Sequence, residues 1–119
     1  MVALIKEGLN PCPLWEGDCT SRLDTIKDIP EGKACYAFEA TDMIKAKKAL
    51  GGKVCIRGNV PLSILITGTP DDVRRHCKKL IDTVGKDGGY IMDSSTGLDD
   101  ARPENVKAMF EATREYGLY

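Results

Sequence analysis

The sequence predicts an α/β protein built from four consecutive βα units around a parallel sheet, and three observations lead there. Four short apolar runs recur along the chain, Cys12–Trp15, Lys33–Phe38, Val54–Ile56 and Tyr90–Met92, each bounded by turn residues. Runs of this kind read as strands, and strands buried on both faces of a parallel sheet lack the alternation of a half-exposed one. Each run is followed by a stretch with helical spacing, and strands alternating with helices imply parallel pairing through right-handed crossovers. The third observation is the stretch from Val54 to Asp72. It runs from strand to polar turn (Arg57, Gly58, Asn59) to a helix start, with Thr69 as N-cap, Pro70 at the first helical position, and Asp71 and Asp72 at the positive end of the dipole.

In chain order, Val2–Glu7 reads as a short helix ended by Gly8. The prolines at 11 and 13 fit only the start or the edge of the first strand. Glu16, Gly17 and Asp18 turn the chain, and Thr20 and Ser21 cap a helix expected to run to Ile29, stopped by Pro30. After the second strand, Glu39 to Asp42 leads into a helix over Met43–Leu50. Met43, Ala46, Ala49 and Leu50 form its apolar stripe, three lysines its wet side, and Gly51 and Gly52 its end. Pro61 to Ile66 reads as a connection to the helix from Pro70 to about Val84, where Val73, Cys77, Leu80, Ile81 and Val84 share a face. The fourth strand ends on Asp93–Gly97. A last helix starts at Pro103 and stops near Gly117, with Val106, Met109, Phe110 and Thr113 expected inward.

A chain of 119 residues supports one domain with a real core. Charged residues at 29% and apolar residues at 42% place it with globular rather than disordered chains. The net charge of −1 gives no electrostatic case for a nucleic-acid partner. The basic run from Arg74 to Lys79 reads as a solvated helix face, with His76, the one histidine, expected exposed and away from the strand ends. No apolar run reaches the length of a membrane span, and the N-terminus is too short and too soon charged for a signal peptide. The five cysteines are odd in number and lack CxxC spacing, which indicates neither a disulfide framework nor a zinc knuckle and fits a reducing cytoplasm. In strand-like runs, cysteine acts as a small hydrophobe.

In parallel α/β folds, ligands sit at the carboxyl ends of strands. That rule selects Glu16–Asp18, Glu39–Asp42, Arg57–Asn59 and Asp93–Thr96: a rim of carboxylates with one arginine, able to bind a metal or to hold a cationic or hydroxylated ligand. Asp18 and Asp42 stand where helix caps belong, whereas Glu16 and Arg57 have no cap role. The candidate substrate-binding residues are Glu16, Asp18, Arg57, Asn59 and Thr96, with no metal ligand among them.

The segments GKVCIRGNVP, GTPDDV and GGYIMDSSTGLDDARPENVKAMFEA are similar to the closing part of uroporphyrinogen decarboxylase superfamily proteins, and the resemblance runs from about Leu9 to Tyr119. It implies the C-terminal half of a (β/α)8 TIM-type barrel. It also implies one of two activities: porphyrinogen decarboxylation in haem synthesis, or zinc-dependent methyl transfer from a corrinoid. The ligand would be a tetrapyrrole or a corrinoid. The methyltransferase branch carries a His-x-Cys pair and a later cysteine at positions matching Leu14, Glu16 and Thr96, none of which is His or Cys. The decarboxylase branch has a histidine where Thr96 stands, and its substrate-gripping arginines and key aspartate lie in the N-terminal half. The resemblance therefore implies a chain without a full active site of its own, a fragment or a subunit. Its partner would be a second copy or a separately encoded N-terminal half. Gly58, Asn59, Pro61, Gly68, Thr69, Pro70, Pro103, Glu104 and Asn105, which also match, read as turns and helix starts.

Overall fold

A computed structural model describes residues 1–118. The elements in order are α1 (Val2–Lys6), β1 (Leu14–Trp15), a 3-10 turn (Thr20–Arg22) running into α2 (Leu23–Ile26), β2 (Cys35–Phe38), α3 (Met43–Leu50), β3 (Cys55–Arg57), α4 (Leu62–Thr67), α5 (Pro70–Leu80) with a π-helical turn (Ile81–Gly85), β4 (Tyr90–Ile91) and α6 (Pro103–Tyr116). The four strands form one parallel sheet in sequential order β1-β2-β3-β4. This is the α/β arrangement of four βα units expected from the sequence, and it matches half the strand count of a closed eight-unit barrel.

Registers fix the two faces of the sheet. Trp15 pairs with Phe38, Tyr36 with Ile56, and Ile56 with Tyr90. These side chains share the helix-covered face, where Tyr36, Phe38 and Ile56 are fully or almost fully buried. They meet the apolar stripes of the helices: Met43, Ala46 and Leu50 of α3, Leu65 of α4, Val73, Cys77 and Leu80 of α5, and Ala108, Met109 and Ala112 of α6. Trp15, Tyr36 and Phe38 stack edge to face in a row, with ring centroids 5.4 and 6.3 Å apart, a preferred aromatic geometry. Tyr36 reaches beyond the sheet and donates its hydroxyl to the Ile26 carbonyl at 2.9 Å, tying α2 down.

The opposite face carries Leu14, Cys35, Ala37, Cys55, Arg57 and Ile91; none of these joins the helix-packed core, and no helix of the described residues covers the face. Leu14 is 55% and Ile91 47% exposed.

Several local expectations change. The first three strands start later than their apolar runs, β3 also takes in Arg57, and β4 ends one residue early at Ile91. The helix expected from Thr20 to Ile29 is a 3-10 turn and one α-helical turn, and Thr20 caps neither: its hydroxyl accepts from the Asp42 amide, while its own amide donates to Asp18 Oδ1 at 2.9 Å. Pro61–Ile66 is not a connection; Leu62–Thr67 is α4. Both its ends are closed by distant residues: the Leu62 amide donates to Ser95 Oγ, and the Asn105 amide donates to the carbonyls of Ile64, Leu65 and Gly68. In α6 the buried set is Asn105, Ala108, Met109 and Ala112, and Phe110 is 59% exposed. The α6 stripe is thus turned from the expected one, because Asn105 must face α4.

Candidate functional site

The carboxyl ends of the four strands lie along one rim, and the four loops there are stitched to one another. The Gly17 amide donates to Glu39 Oε2 at 2.6 Å, and the Cys19 amide to Thr41 Oγ1 at 3.0 Å. The Asp42 amide donates to Thr20 Oγ1 at 3.0 Å. Asn59 Nδ2 donates to the Thr41 carbonyl at 2.8 Å, joining the third loop to the second. Val60 and Ser94 bridge the third loop to the fourth. Glu39, Thr41 and Asn59 therefore act first as cross-links between neighbouring units.

Arg57 differs. It projects from β3 onto the uncovered face, and its Nε donates to Asp93 Oδ2 at 2.6 Å. Its Nη1 lies 3.9 Å from Cys12 Sγ. Asp93 first, and then Cys12, push the guanidinium pKa further up, so Arg57 is a fixed cation. A cleft of about 410 Å³ holds Arg57, Asp93, Ser94, Ser95 and Thr96 against Cys12, Leu14 and Ala37. A charge-assisted pair facing an open apolar floor can bind an anionic or hydrogen-bonding small molecule and fix its orientation.

Of the five candidate residues, Arg57 and Thr96 share this cleft. Asn59 lines a second cavity, of about 630 Å³, on the helix side of the rim. Glu16 and Asp18 line neither. Both are exposed, and Asp18 holds the Thr20 turn, whose hydrogen bonds keep its carboxyl below the usual range. Asp93 and Cys12 complete the surroundings of Arg57. Asp93 is legible as a rim residue, whereas Cys12 is not, because its position beside Arg57 comes only from strand register.

The second cavity overturns the expectation for His76. Its Nε2 is buried without a hydrogen-bond partner among the described residues. The ring lines the cavity with Thr41, Asp42, Asn59 and Ser63 rather than standing clear of the strand ends. Burial, and then Lys79, hold its pKa below the ordinary histidine value. The unforeseen α4 supplies the wall, through Leu62 and Ser63, that encloses it.

The thiolate zinc site of the methyltransferase branch does not fit these residues. Leu14, Glu16 and Thr96 offer one carboxylate between them, and among the described residues no three His, Cys, Asp or Glu side chains are placed to hold a metal ion. Nor is any helix of the described residues long and apolar enough to cross a membrane.

The family model described as uroporphyrinogen decarboxylase matches residues 10–116. Among curated relatives, the chain is 31% identical over 112 residues to a uroporphyrinogen decarboxylase of Chlorobium phaeobacteroides, covering 88% of this chain and 30% of that one. It is 36% identical over 75 residues to one of Legionella pneumophila (strain Corby), covering 62% and 21%. It is 29% identical over 77 residues to one of Methylococcus capsulatus, covering 64% and 22%. The chain thus spans less than a third of the length of these relatives, as a C-terminal part of such a barrel would.

Proposed function

This chain belongs to the uroporphyrinogen decarboxylase family, and from that premise we propose that it is the C-terminal barrel portion of a family enzyme, inactive until the N-terminal portion joins it. The observation that carries this reading is the uncovered sheet face with Arg57 at its rim. A (β/α)8 barrel encloses that face, and a barrel enzyme builds its site from the ends of several different strands. Four strands give one cationic group, and the remaining groups come from the other staves.

The substrate side follows from the relatives' name. A decarboxylase substrate carries a carboxylate, and a guanidinium fork matches a carboxylate in charge and in plane. The cleft holding Arg57, Asp93 and Thr96 is therefore assigned to one edge of a tetrapyrrole such as uroporphyrinogen, in a cytoplasmic enzyme of porphyrin biosynthesis. Methyl transfer from a corrinoid, the second activity that the resemblance of the sequence implies, is the alternative. A non-catalytic role, completing a barrel with a separately encoded N-terminal half, is supported by the same open face.

The test is reconstitution. The chain alone, given uroporphyrinogen or given methylcobalamin with a thiol, is expected to give no product. Co-expression with the N-terminal portion of a family relative is expected to yield a complex that turns over one of the two, with activity lost in Arg57→Ala. Turnover by the chain alone overturns the proposal. A stable complex that turns over neither substrate supports the non-catalytic reading.

A further inference from the structure

Three of the five cysteines, far apart in sequence, come together on the uncovered face. Cys35 and Cys55 are register partners on β2 and β3. The Cys35 amide donates to the Pro11 carbonyl at 3.1 Å, and the Ala37 amide to the Pro13 carbonyl at 3.0 Å. The second of these bonds accompanies the Leu14–Ala37 pairing, so the first sets Cys12 opposite Cys35. Residues two apart on a strand share a face. Cys12, Cys35 and Cys55 therefore form one row across three strands, on the face that carries Leu14 and Arg57. Neighbouring strands lie about 4.8 Å apart, inside the Cα separation of about 4.4–6.8 Å that a disulfide spans.

The surroundings divide the labour. Cys12 is exposed and lies against the Arg57 guanidinium. Its exposed sulfur is the one that a small oxidant in solvent reaches first. Cys35 is only partly exposed, and burial first, then Cys55 and Cys12, push its thiol up to about 12, so it keeps its proton at neutral pH.

We propose that Cys12 and Cys35 form a peroxide-sensitive pair that closes into a reversible disulfide across β1 and β2. The Cys12 sulfur attacks one oxygen of hydrogen peroxide. An S–O bond forms, the O–O bond breaks, and the departing hydroxide leaves as water with the proton of the Cys12 thiol, giving a sulfenic acid. The Cys35 sulfur then attacks the Cys12 sulfur. The S–S bond forms, the S–O bond breaks, and water leaves with the Cys35 proton. The two thiols lose two electrons and two protons, and one peroxide becomes two waters. Cys55, on the other side of Cys35, can take over the bond by thiol exchange. This chemistry belongs to the chain itself and does not depend on the activity proposed above.

The experiment treats the reduced chain with equimolar hydrogen peroxide, denatures it in an alkylating agent, and reads the intact mass and a non-reduced peptide map. The expected result is two of the five thiols protected from alkylation, a Cys12–Cys35 cross-linked peptide, and full recovery of five alkylatable thiols after dithiothreitol. Cys12→Ser is expected to lose the cross-link, while Cys77→Ser, in the helical layer, keeps it. Five thiols still alkylated after peroxide overturn the proposal. So does a disulfide that joins two chains, or Cys12 carried on to the sulfinic acid without a cross-link.

Discussion

At the scale of single residues, Gly58 and Asn105 set the geometry of the rim and of the helix layer. Gly58 sits at φ +118°, a region that side-chain-bearing residues rarely enter. A Cβ placed there meets the Phe38 carbonyl oxygen at 2.5 Å. Tyr90 holds the same turn by donating its hydroxyl to the Gly58 carbonyl. Gly58→Ala is therefore expected to push β3 from β2 just below Arg57 and to cost at least about 2 kcal/mol, by backbone strain alone; urea unfolding measures it, and an unchanged midpoint contradicts it. Asn105 is fully buried, and its Nδ2 meets three carbonyls at the end of α4. Two of those have other donors, since Gly68 N–H also meets Ile64 and Arg102 N–H meets Leu65. For the Gly68 carbonyl, the Asn105 amide is the only partner found among the described residues. Asn105→Leu keeps the volume and orphans that one acceptor, so the expected loss is about 2 kcal/mol. Asn105→Asp turns an acceptor toward carbonyls and is expected to lose more. Equal stability of all three proteins in urea would remove Asn105 from its role as a cap.

At the scale of elements, the start of α5 is the clearest case of local sequence dictating local structure. Thr69 Oγ1 accepts from the Asp72 amide at 3.2 Å, and the Thr69 amide donates to Asp72 Oδ2 at 2.9 Å, a reciprocal capping box. Thr69→Ala is expected to cost about 1 kcal/mol. The Thr69 backbone bond first, and then the Thr69 hydroxyl and Arg75, hold the Asp72 carboxyl below its usual value. A carboxylate depressed on folding contributes stability that is present above its unfolded pKa, near about 3.9. That contribution is lost as pH falls through the lower folded value. Asp72→Asn should therefore narrow the gap to the wild type below about pH 4, and thermal melts at pH 3 and pH 7 test the sign: a gap that widens in acid refutes it. The Thr69, Pro70 and Asp72 pattern was readable because both partners lie within one turn, and α3 was readable at both ends for the same reason. By contrast, α4 was not, because Ser95 and Asn105 close its ends from more than 30 residues away, while Ile64 and Ile66 locally favour an extended chain. The same distance hid half the site. The register that sets Cys12 beside Arg57, and the wall that encloses His76, exist only once the units are stacked.

At the scale of the whole molecule, the sheet is finished on one side and open on the other three. Its outer strands, β1 and β4, are two residues each and leave unpaired backbone groups along both edges. Beside β4 a groove of about 700 Å³ runs between Tyr90, Ile91 and Met92 and the end of α6 at Tyr116 and Leu118. Leu14 and Ile91 stand on the uncovered face at about half exposure. Apolar surface of this kind, rimmed by a charged pair, marks an interaction site, and unpaired strand edges template pairing with another chain. Without the N-terminal portion of a family barrel, the available cover is a second copy of the same face. The chain is therefore expected to self-associate, with a light-scattering mass that rises with concentration above that of one chain. Leu14→Glu together with Ile91→Glu should return it to a monomer. Both side chains are exposed and neither touches the helical core, so the circular dichroism and melting temperature of the double variant should stay near those of the parent at dilute concentration. Leu14 lies on the sheet face and outside the edge groove that Ile91 lines, so Leu14→Glu alone separates the two contacts: if it associates as the parent does, the sheet face is not the contact. A parent that scatters as one chain at millimolar concentration would mean that this sheet tolerates water on its open side, and the need for a covering partner would go with it.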